Sequence, residues 1–438
     1  MPDSVTTLLN ARWIIPVVPS GTCLSNHAVV IRDAHIIGLM PQAAAATTYP
    51  AATHVELPHH ILTPGFINAH GHAAMTLFRG YADDRELMDW LNNYMWPAEA
   101  RLVDADFTRV GTTLAIAEMI RSGTTCAVDT YFFPDAAARA YKENFFRAQV
   151  CLPVIQFPNA WAGSEEEHIN KALAVHDALR DEPLLSTAFA PHAPYTVSDA
   201  GFRAIARLSA DKKLPVHLHL HETATEVNDA VAQLGSRPFD RMAELGLLGS
   251  SLQTVHMTQL TPDEIERLAR AGAHVVHCPE SNQKLASGFC PVRDLLAAGV
   301  NVCLGTDGAA SNNNLDMLEE MRSAALLAKG MTGDATAVSA HEALEMATIN
   351  GALMLGREHD LGSIEVGKLA DLTAVDVSDF AFQPMHHPIS QLVYSASGHQ
   401  VSDVWINGKQ LLRGGRFTEL DAGLLRTEVD QWFQRMRA

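Results

Sequence analysis

The 438-residue sequence lacks the marks of a membrane or secreted protein. It has no uninterrupted apolar run of about 18 residues, the length that a membrane-spanning helix requires. Its N-terminal stretch, MPDSVTTLLNARWIIPVVPSG, shows no basic segment followed by a long apolar one, so a secretory signal is not expected. There are six cysteines, none of them in a Cys-x-x-Cys pair. We therefore expect a cytoplasmic protein with reduced thiols.

Basic residues are scarce beside acidic ones. The chain has 32 Lys and Arg against 50 Asp and Glu, a net charge of −18. Such an excess disfavours contact with nucleic acid and with anionic membranes, so neither is an expected partner. The motifs of several competing chemistries are also missing: G-x-x-x-x-G-K-[ST], G-x-S-x-G, and a convincing G-x-G-x-x-G after a strand.

The middle of the chain alternates short apolar runs with helix-like segments. The runs are bounded by Gly, Pro or polar residues, as is typical of buried parallel strands. They cover residues 62–70, 123–130, 150–157, 184–192, 214–222, 252–258, 273–279 and 300–308. Helical segments at 106–123, 164–180 and 261–272 lie between them. The last two begin with Ser164 and Thr261, which are expected to be their N-caps. This alternation predicts an α/β fold, a (β/α)₈ TIM-type barrel.

The two ends of the chain have another pattern. Residues 1–61 and the residues from 366 onward read as short alternating strands separated by turns. Neither end is long enough to build a core alone. The sequence therefore predicts a small composite β-sandwich-like domain formed by 1–61 and 366–438, and a catalytic (β/α)₈ barrel domain over 62–365.

Histidines and one carboxylate mark the ends of the predicted strands. His70 and His72 close the first strand, where alternate residues face the same side and both imidazoles can reach one ion. His219 lies on the fifth strand, and Asp307 ends the eighth. Barrel active sites lie at the carboxyl ends of strands, and three imidazoles with one carboxylate suit Zn²⁺ or a similar divalent ion. Taken alone, an aspartate before a glycine, such as Asp307, is also typical of an ordinary turn.

Other polar residues near the same strand ends are candidates for proton transfer and substrate binding. Glu222 follows His219 by three residues, and His256 ends the sixth strand; a metal-activated water needs such groups. His256 alone would more often be a core histidine. His192 ends the fourth strand, while Glu99 follows the first strand in an aromatic setting and either binds hydroxyls or caps a helix.

Two more histidines, His217 and His221, alternate with His219 along the fifth strand. Three inward imidazoles would crowd a barrel, so we expect these two to pack or to hydrogen-bond behind the metal rather than bind it.

Longer strings of residues carry a family resemblance over nearly the whole chain. P-G-F-I-N-A-H-G-H, H-L-H-E-T, V-H-C-P-E-S-N, L-G-T-D-G-A-A-S-N-N and G-S-I-E-V-G-K-L-A-D-L resemble the amidohydrolase superfamily. H-A-A-M-T-L-F-R-G, W-P-A-E and F-A-P-H-A-P-Y-T-V-S narrow the resemblance to its deaminases of 5′-methylthioadenosine and S-adenosylhomocysteine.

The resemblance implies one divalent metal ion, Zn²⁺ with Fe²⁺ as the alternative. Its implied ligands are His70, His72, His219 and Asp307. Relatives with two metals bridge them with a modified lysine on the fourth strand. The corresponding run here, LLSTAFAPH, has no lysine, so a single metal is expected.

The resemblance also implies the roles of the remaining residues. Glu222 would protonate a purine ring nitrogen, His256 with Asp307 would activate the hydroxide, and Glu222 and Asp307 would both contact the substrate. Glu99 would hold the ribose hydroxyls. Two further residues would touch the nucleoside: His192 and Ser311.

These roles predict hydrolytic deamination of an adenine nucleoside to its inosine analogue and ammonia by a metal-activated hydroxide. The segment QFPNAWAGSEEEHIN is acidic and has no arginine for a homocysteine carboxylate, which favours 5′-methylthioadenosine over S-adenosylhomocysteine. An aminohydrolase of guanine, another aminopurine or a triazine is the alternative, and a non-catalytic scaffold the weakest one. The oligomeric state stays open, a homo-oligomer included.

Overall fold

Two eight-stranded sheets organise residues 5–437, the part of the chain that the computed structural model describes. The strands are, in chain order, β1 (Thr6–Ile14), β2 (Leu24–Arg32), β3 (His35–Pro41), β4 (Thr53–Pro64), β5 (Phe66–Gly71), β6 (Thr124–Thr130), β7 (Arg147–Val154), β8 (Leu185–Pro191), β9 (Val216–Leu220), β10 (Leu252–His256), β11 (His274–His277), β12 (Asn301–Leu304), β13 (Leu372–Asp376), β14 (Val401–Ile406), β15 (Lys409–Arg413) and β16 (Arg416–Phe417). Each of the eight predicted strand runs overlaps one of β5 to β12.

Strands β5 to β12 form a nearly closed barrel. Each strand lies beside the next one in the chain, and the pairs for which the register is resolved are parallel. A backbone hydrogen bond of 3.0 Å from the Asp307 amide to the His70 carbonyl joins the end of the last strand to the first. The predicted α/β barrel is confirmed.

The helices follow the strands as the alternation predicts. They are, in chain order, α1 (Gln42–Thr48), α2 (Leu87–Trp90), α3 (Trp96–Leu102), α4 (Ala105–Arg121), α5 (Pro134–Glu143), α6 (Glu165–Leu179), α7 (Asp199–Lys212), α8 (Ala224–Leu234), α9 (Pro238–Glu244), α10 (Pro262–Ala271), α11 (Pro279–Lys284), α12 (Val292–Ala297), α13 (Ala309–Asn312), α14 (Met317–Thr332), α15 (Ala340–Met346), α16 (Ile349–Met354), α17 (Pro388–Tyr394) and α18 (Ala422–Arg437). A π-helical turn over Leu91–Met95 connects α2 to α3.

The helix boundaries have local causes. Ser164 accepts a hydrogen bond from the Glu167 amide at the start of α6, as predicted. Thr261 and Glu264 form a reciprocal capping box at the start of α10, which satisfies two backbone donors that would otherwise lack partners. Gly272 ends α10 at φ 67°, a left-handed conformation that glycine adopts without strain.

The two ends of the chain meet in the other sheet. It is a mixed sheet with the order β16-β15-β14-β13-β4-β1-β2-β3. Strand β4 lies at its centre, parallel to β1 and antiparallel to β13. The predicted β-domain built from N- and C-terminal segments is therefore confirmed, while its sandwich-like form and its predicted boundaries stay predictions.

The C-terminal segment also contains a helix that the sequence reading took for strands. Helix α18 buries Trp432, whose ring packs edge-on against that of Phe107 at 5.2 Å between centroids. Leu425, Val429 and Trp432 recur at helical spacing, a signal that the reading in alternating strands passed over. That reading of the last residues is wrong.

Residues group into two compact units, each assembled from distant stretches of sequence. The first contains the described part of Met1–Asn68, with Ala117–Cys126 and Asp316–Asp421. The second contains Ala69–Ile116, Ala127–Leu315 and the described residues from Ala422. Every candidate site residue lies in the second unit. Among residues 5–437, no helix combines the length and the apolar character that crossing a membrane demands.

Candidate metal centre and active site

The end of β5 holds two of the predicted metal ligands. His70 is completely buried, and its Nδ1 lies 2.8 Å from Nε2 of His217. His72 is partly buried, and its Nδ1 lies 2.5 Å from the carbonyl oxygen of Thr130. Because these contacts occupy Nδ1 of both rings, the two Nε2 atoms are left to face the interior of the site.

The end of β9 brings in the third imidazole. Nδ1 of His219 lies 2.7 Å from the carbonyl oxygen of His192 and therefore carries the proton. Its Nε2 lies 3.2 Å from Nε2 of His70. Two imidazole lone pairs at this distance repel each other unless a cation lies between or beside them.

Asp307 lies three residues after the end of β12 with φ 61°, in the left-handed region. Its Oδ1 lies 3.2 Å from Nε2 of both His70 and His72. Its Oδ2 accepts hydrogen bonds from the hydroxyls of Ser281 at 2.6 Å and Ser311 at 2.8 Å. Although burial raises the pKa of Asp307, its contacts with the rings of His70 and His72 outweigh it and hold that pKa well below its usual value. The carboxylate is therefore ionised.

The predicted ligands come together in space. Their ligand atoms lie within 4.8 Å of one another: His70, His72, His219 and Asp307. Burial lowers the pKa of His70 to about 4 and that of His219 well below its ordinary value, so both offer neutral lone pairs. Three imidazole nitrogens and one carboxylate are a donor set that Zn²⁺ accepts, with room left for water. The residues present therefore fit a single divalent ion.

His72 differs from the other two imidazoles. Burial lowers its pKa, but hydrogen bonds with Asp307 and with the Thr130 carbonyl outweigh burial and raise that pKa to about 9. At neutral pH both nitrogens of this ring are therefore protonated in the metal-free protein, and the ring is positively charged. Metal binding displaces one of these protons and weakens as the pH falls.

Two predicted proton-transfer groups face each other beside this cluster. Oε2 of Glu222 lies 3.8 Å from Nε2 of His256, and both residues are buried. Burial raises the pKa of Glu222, so its carboxyl group keeps a proton at a higher pH than an exposed glutamate. Nδ1 of His256 donates to Oδ1 of Asn282 at 2.8 Å, which leaves Nε2 as the basic nitrogen.

The chain that carries Glu222 is held by a residue that sequence reasoning missed. The carboxylate of Glu226 accepts the backbone amides of His221 at 3.0 Å and Glu222 at 2.7 Å. Glu226 in turn lies at the third position of α8, whose N-cap is Thr223. The pattern Thr-x-x-Glu after a strand is the signal that would have found it.

The cluster and the Glu222–His256 pair open into one pocket with about 820 Å³ of empty space, part of it reaching solvent. Its wall includes the continuous helical segment 87–102, interrupted by the π turn, a feature frequent at functional sites. The lining residues are His72, Met75, Leu87, Trp90, Leu91, Met95, Trp96, Glu99, Thr130, Tyr131, Phe132, Pro153, Ile155, Ala190, His192, Tyr195, His219, Glu222, His256, Leu285, Asp307 and Ser311.

The predicted substrate contacts lie on this lining. Glu99, in the first turn of α3, accepts a hydrogen bond of 2.7 Å from the hydroxyl of Tyr131, and burial raises its pKa to about 7. Nδ1 of His192 lies 3.1 Å from Oγ1 of Thr196, and burial lowers the pKa of this histidine to about 4. Ser311 reaches the pocket but uses its hydroxyl to hold Asp307.

An apolar groove continues from the pocket and shares part of its wall, including Trp96 and Phe132. We use this name for the space lined by Trp96, Glu99, Ala100, Val103, Phe132, Ile155, Phe157, Pro158, Asn159, Ala160, His192 and Thr196. Among the described residues, neither the groove nor the pocket has a lysine or arginine in its lining.

Residues 61–411 of the chain match the model of the amidohydrolase family. The chain belongs to the amidohydrolase family. This match spans all the strands of the barrel and all four predicted metal ligands. The resemblance drawn from the sequence motifs is confirmed.

Full-length relatives of this amidohydrolase carry a more specific name. A protein of Teredinibacter turnerae is 47% identical over 430 residues, covering 98% of this chain and 97% of the relative. One of Saccharophagus degradans is 47% identical over 431 residues, with the same coverage. Both are named 5-methylthioadenosine/S-adenosylhomocysteine deaminase. An adenosine deaminase from Xanthomonas campestris, solved with bound zinc, is 50% identical with a TM-score of 0.97, covering 99% of both chains.

Proposed function

We propose that this amidohydrolase deaminates an adenine nucleoside hydrolytically, with 5′-methylthioadenosine as the favoured substrate. One observation carries the proposal: Glu222 and His256 lie 3.8 Å apart beside the complete ligand cluster, in one pocket. The names of the full-length relatives and of the zinc-containing structure support the same reaction. The substrate would be a small molecule; the cytoplasmic location stays a prediction.

A divalent ion held by the ligand cluster would act as a Lewis acid toward water. Two residues of the chain can take up the proton of the attacking water. The ionised carboxylate of Asp307 is one, and Nε2 of His256 is the other, since Asn282 fixes the proton of that ring on Nδ1. Removing this proton as the water adds to the carbon bearing the amino group is general-base catalysis.

Glu222 supplies the complementary proton. Because burial raises its pKa, the carboxyl group keeps its proton to a higher pH than an exposed glutamate, and in its protonated form it can donate to the ring nitrogen beside the reacting carbon. Protonation makes that carbon more electrophilic as the tetrahedral centre forms. The base that took up the water proton, Asp307 or His256, returns it to the amino group, so that the carbon–nitrogen bond breaks and ammonia leaves. The ionised Glu222 takes the proton of the new hydroxyl group, which restores its own proton and leaves the 6-oxo purine nucleoside.

The rest of the pocket selects the nucleoside. The carboxylate of Glu99 can accept hydrogen bonds from the two ribose hydroxyls, with Tyr131 holding its other side. The apolar groove follows on and suits an uncharged substituent at the 5′ position. A carboxylate at the end of a homocysteine chain would have no lysine or arginine among the described lining residues.

The competing substrates would make fewer hydrogen bonds with the pocket than an adenine nucleoside. Guanine and triazines have no ribose, so they would leave Glu99 without its hydroxyl partners. A non-catalytic scaffold would not require the complete ligand set that the described residues retain. No feature of the pocket favours these alternatives over an adenine nucleoside.

Substrate choice tests the proposal. With zinc-loaded protein, 5′-methylthioadenosine should have a higher kcat/KM than S-adenosylhomocysteine, and free adenine should be a poor substrate. The ultraviolet change from the adenine to the hypoxanthine chromophore measures all three. Equal use of S-adenosylhomocysteine would contradict the preference, and efficient use of free adenine would contradict the role of Glu99.

The affinity for the nucleoside should depend on pH through Glu99. Its carboxyl has a pKa raised by burial to about 7, so below that pH it is protonated and accepts fewer hydrogen bonds. KM should therefore rise as the pH falls through about 7. The variant Glu99→Gln should have a KM at least roughly tenfold higher at alkaline pH and should lose this pH dependence.

Glu86→Gln is the matched control, because Glu86 is exposed at the start of the same helical segment. It should keep the wild-type KM profile. A Glu99→Gln variant with an unchanged KM profile would show that Glu99 does not bind the ribose.

A further inference from the structure

A buried chain of hydrogen bonds runs from the ligand His70 into the barrel. Nδ1 of His70 lies 2.8 Å from Nε2 of His217, and Nδ1 of His217 lies 3.1 Å from Oε1 of Gln253. The side-chain amide of Gln149 donates to the same oxygen at 2.9 Å. The four residues come from β5, β9, β10 and β7, and each is at most 2% exposed. Large aliphatic side chains are the usual occupants of such positions.

The direction of each hydrogen bond in this chain follows from the first. Because the Gln149 amide donates to Oε1 of Gln253, it is that oxygen which faces His217, and Nδ1 of His217 must carry the proton. A neutral His217 then has a bare Nε2, which accepts from Nδ1 of His70. Nε2 of His70 is consequently the nitrogen without a proton, and it is the one that faces Asp307 and His219.

We propose that Gln149 and Gln253 are positioning residues for the metal centre. Acting through His217, they select the tautomer of His70 that presents an Nε2 lone pair to the ion. The inference rests on the proposed function, since it assumes that the ligand cluster holds a catalytic metal. Packing alone does not require this series of hydrogen bonds, because replacing both partners of a buried hydrogen bond by apolar groups can be nearly neutral for stability.

Zinc affinity, measured by competition with a chelator, tests the proposal without reference to turnover. Gln253→Met removes the oxygen that fixes His217 and should weaken zinc binding by about 10–100-fold, the scale for outer-shell partners of a metal site. Gln253→Glu keeps an acceptor at the same place and should retain the wild-type affinity. Cobalt substituted for zinc should show a changed absorption spectrum in Gln253→Met and an unchanged one in Gln253→Glu.

A second pair of variants acts at a greater distance from the ion. Gln149→Glu replaces the donor by an acceptor once its carboxyl group is ionised at alkaline pH, so the Gln253 amide should then rotate and present its nitrogen to His217. The tautomers of His217 and His70 then reverse, and zinc affinity should fall although Gln149 contacts no ligand. Gln149→Met removes the donor without supplying an acceptor and should have a smaller effect.

The outcomes separate the inference from the proposed function. Wild-type affinity in both Gln253→Met and Gln149→Glu would overturn the inference alone, as would lower thermal stability without weaker zinc binding. A wild-type protein that binds no zinc would overturn both. Zinc binding that is weaker in Gln253→Met and Gln149→Glu but unchanged in Gln253→Glu would support the proposal that the two glutamines set the tautomer of His70.

Discussion

Replacing Glu222 with glutamine should lower kcat at least roughly 10²-fold, the usual scale for losing a general acid, while zinc content stays near the wild-type value. Glutamine keeps the size of the side chain and its place 3.8 Å from His256 but has no proton to deliver to the purine ring. Zinc content by atomic emission and kcat by the ultraviolet assay measure the two effects separately.

Glu86→Gln is the control for this variant. It makes the same chemical change at an exposed carboxyl group that does not line the pocket. It should therefore leave kcat and zinc content at their wild-type values. Loss of zinc together with activity in Glu222→Gln would make Glu222 a ligand, and an unchanged kcat would remove it from proton transfer.

Replacing His219 with alanine should abolish both tight zinc binding and turnover. The change removes the imidazole whose Nε2 lies 3.2 Å from that of His70, and with it one of the four donors of the cluster. We expect zinc affinity to fall by more than the roughly 10–100-fold that follows loss of an outer-shell partner. Metal content after dialysis, with a chelator titration, gives the measurement.

His221→Gln provides the comparison at the same strand end. His221 is buried, but its Nε2 accepts the backbone amide of Phe239 and it does not belong to the ligand cluster. Glutamine can keep that hydrogen bond, so zinc binding should persist. One tightly bound zinc and wild-type turnover in His219→Ala would show that His219 is not a ligand.

The barrel and its ligands were accessible from the sequence because their signals are local. A parallel strand buried on both faces leaves a contiguous apolar run, and the residues around the carboxyl end of that run lie at the catalytic edge. His70 and His219 lie one residue before the ends of β5 and β9, and Asp307 lies three residues after the end of β12. Once the strands were assigned, the ligand set followed from residue type and position.

The supporting residues were not accessible because their partners are distant in the chain. Asn282 orients His256 from 26 residues away, and Gln149 meets Gln253 across 104 residues. Neither glutamine differs in its local pattern from any polar residue within an apolar run. Helix α18 was a different kind of miss, since its apolar residues do recur at helical spacing and were read as strands.

The central claim is that this amidohydrolase replaces the amino group of an adenine nucleoside by oxygen from water. The most direct test is to incubate the zinc-loaded wild-type protein with 5′-methylthioadenosine in water labelled with heavy oxygen, and to analyse the products by mass spectrometry and an ammonia assay. We predict one ammonia released for each nucleoside consumed, one heavy oxygen on the purine, and an intact ribose and methylthio group. Free adenine among the products, ammonia release without oxygen incorporation, or no turnover would contradict the account.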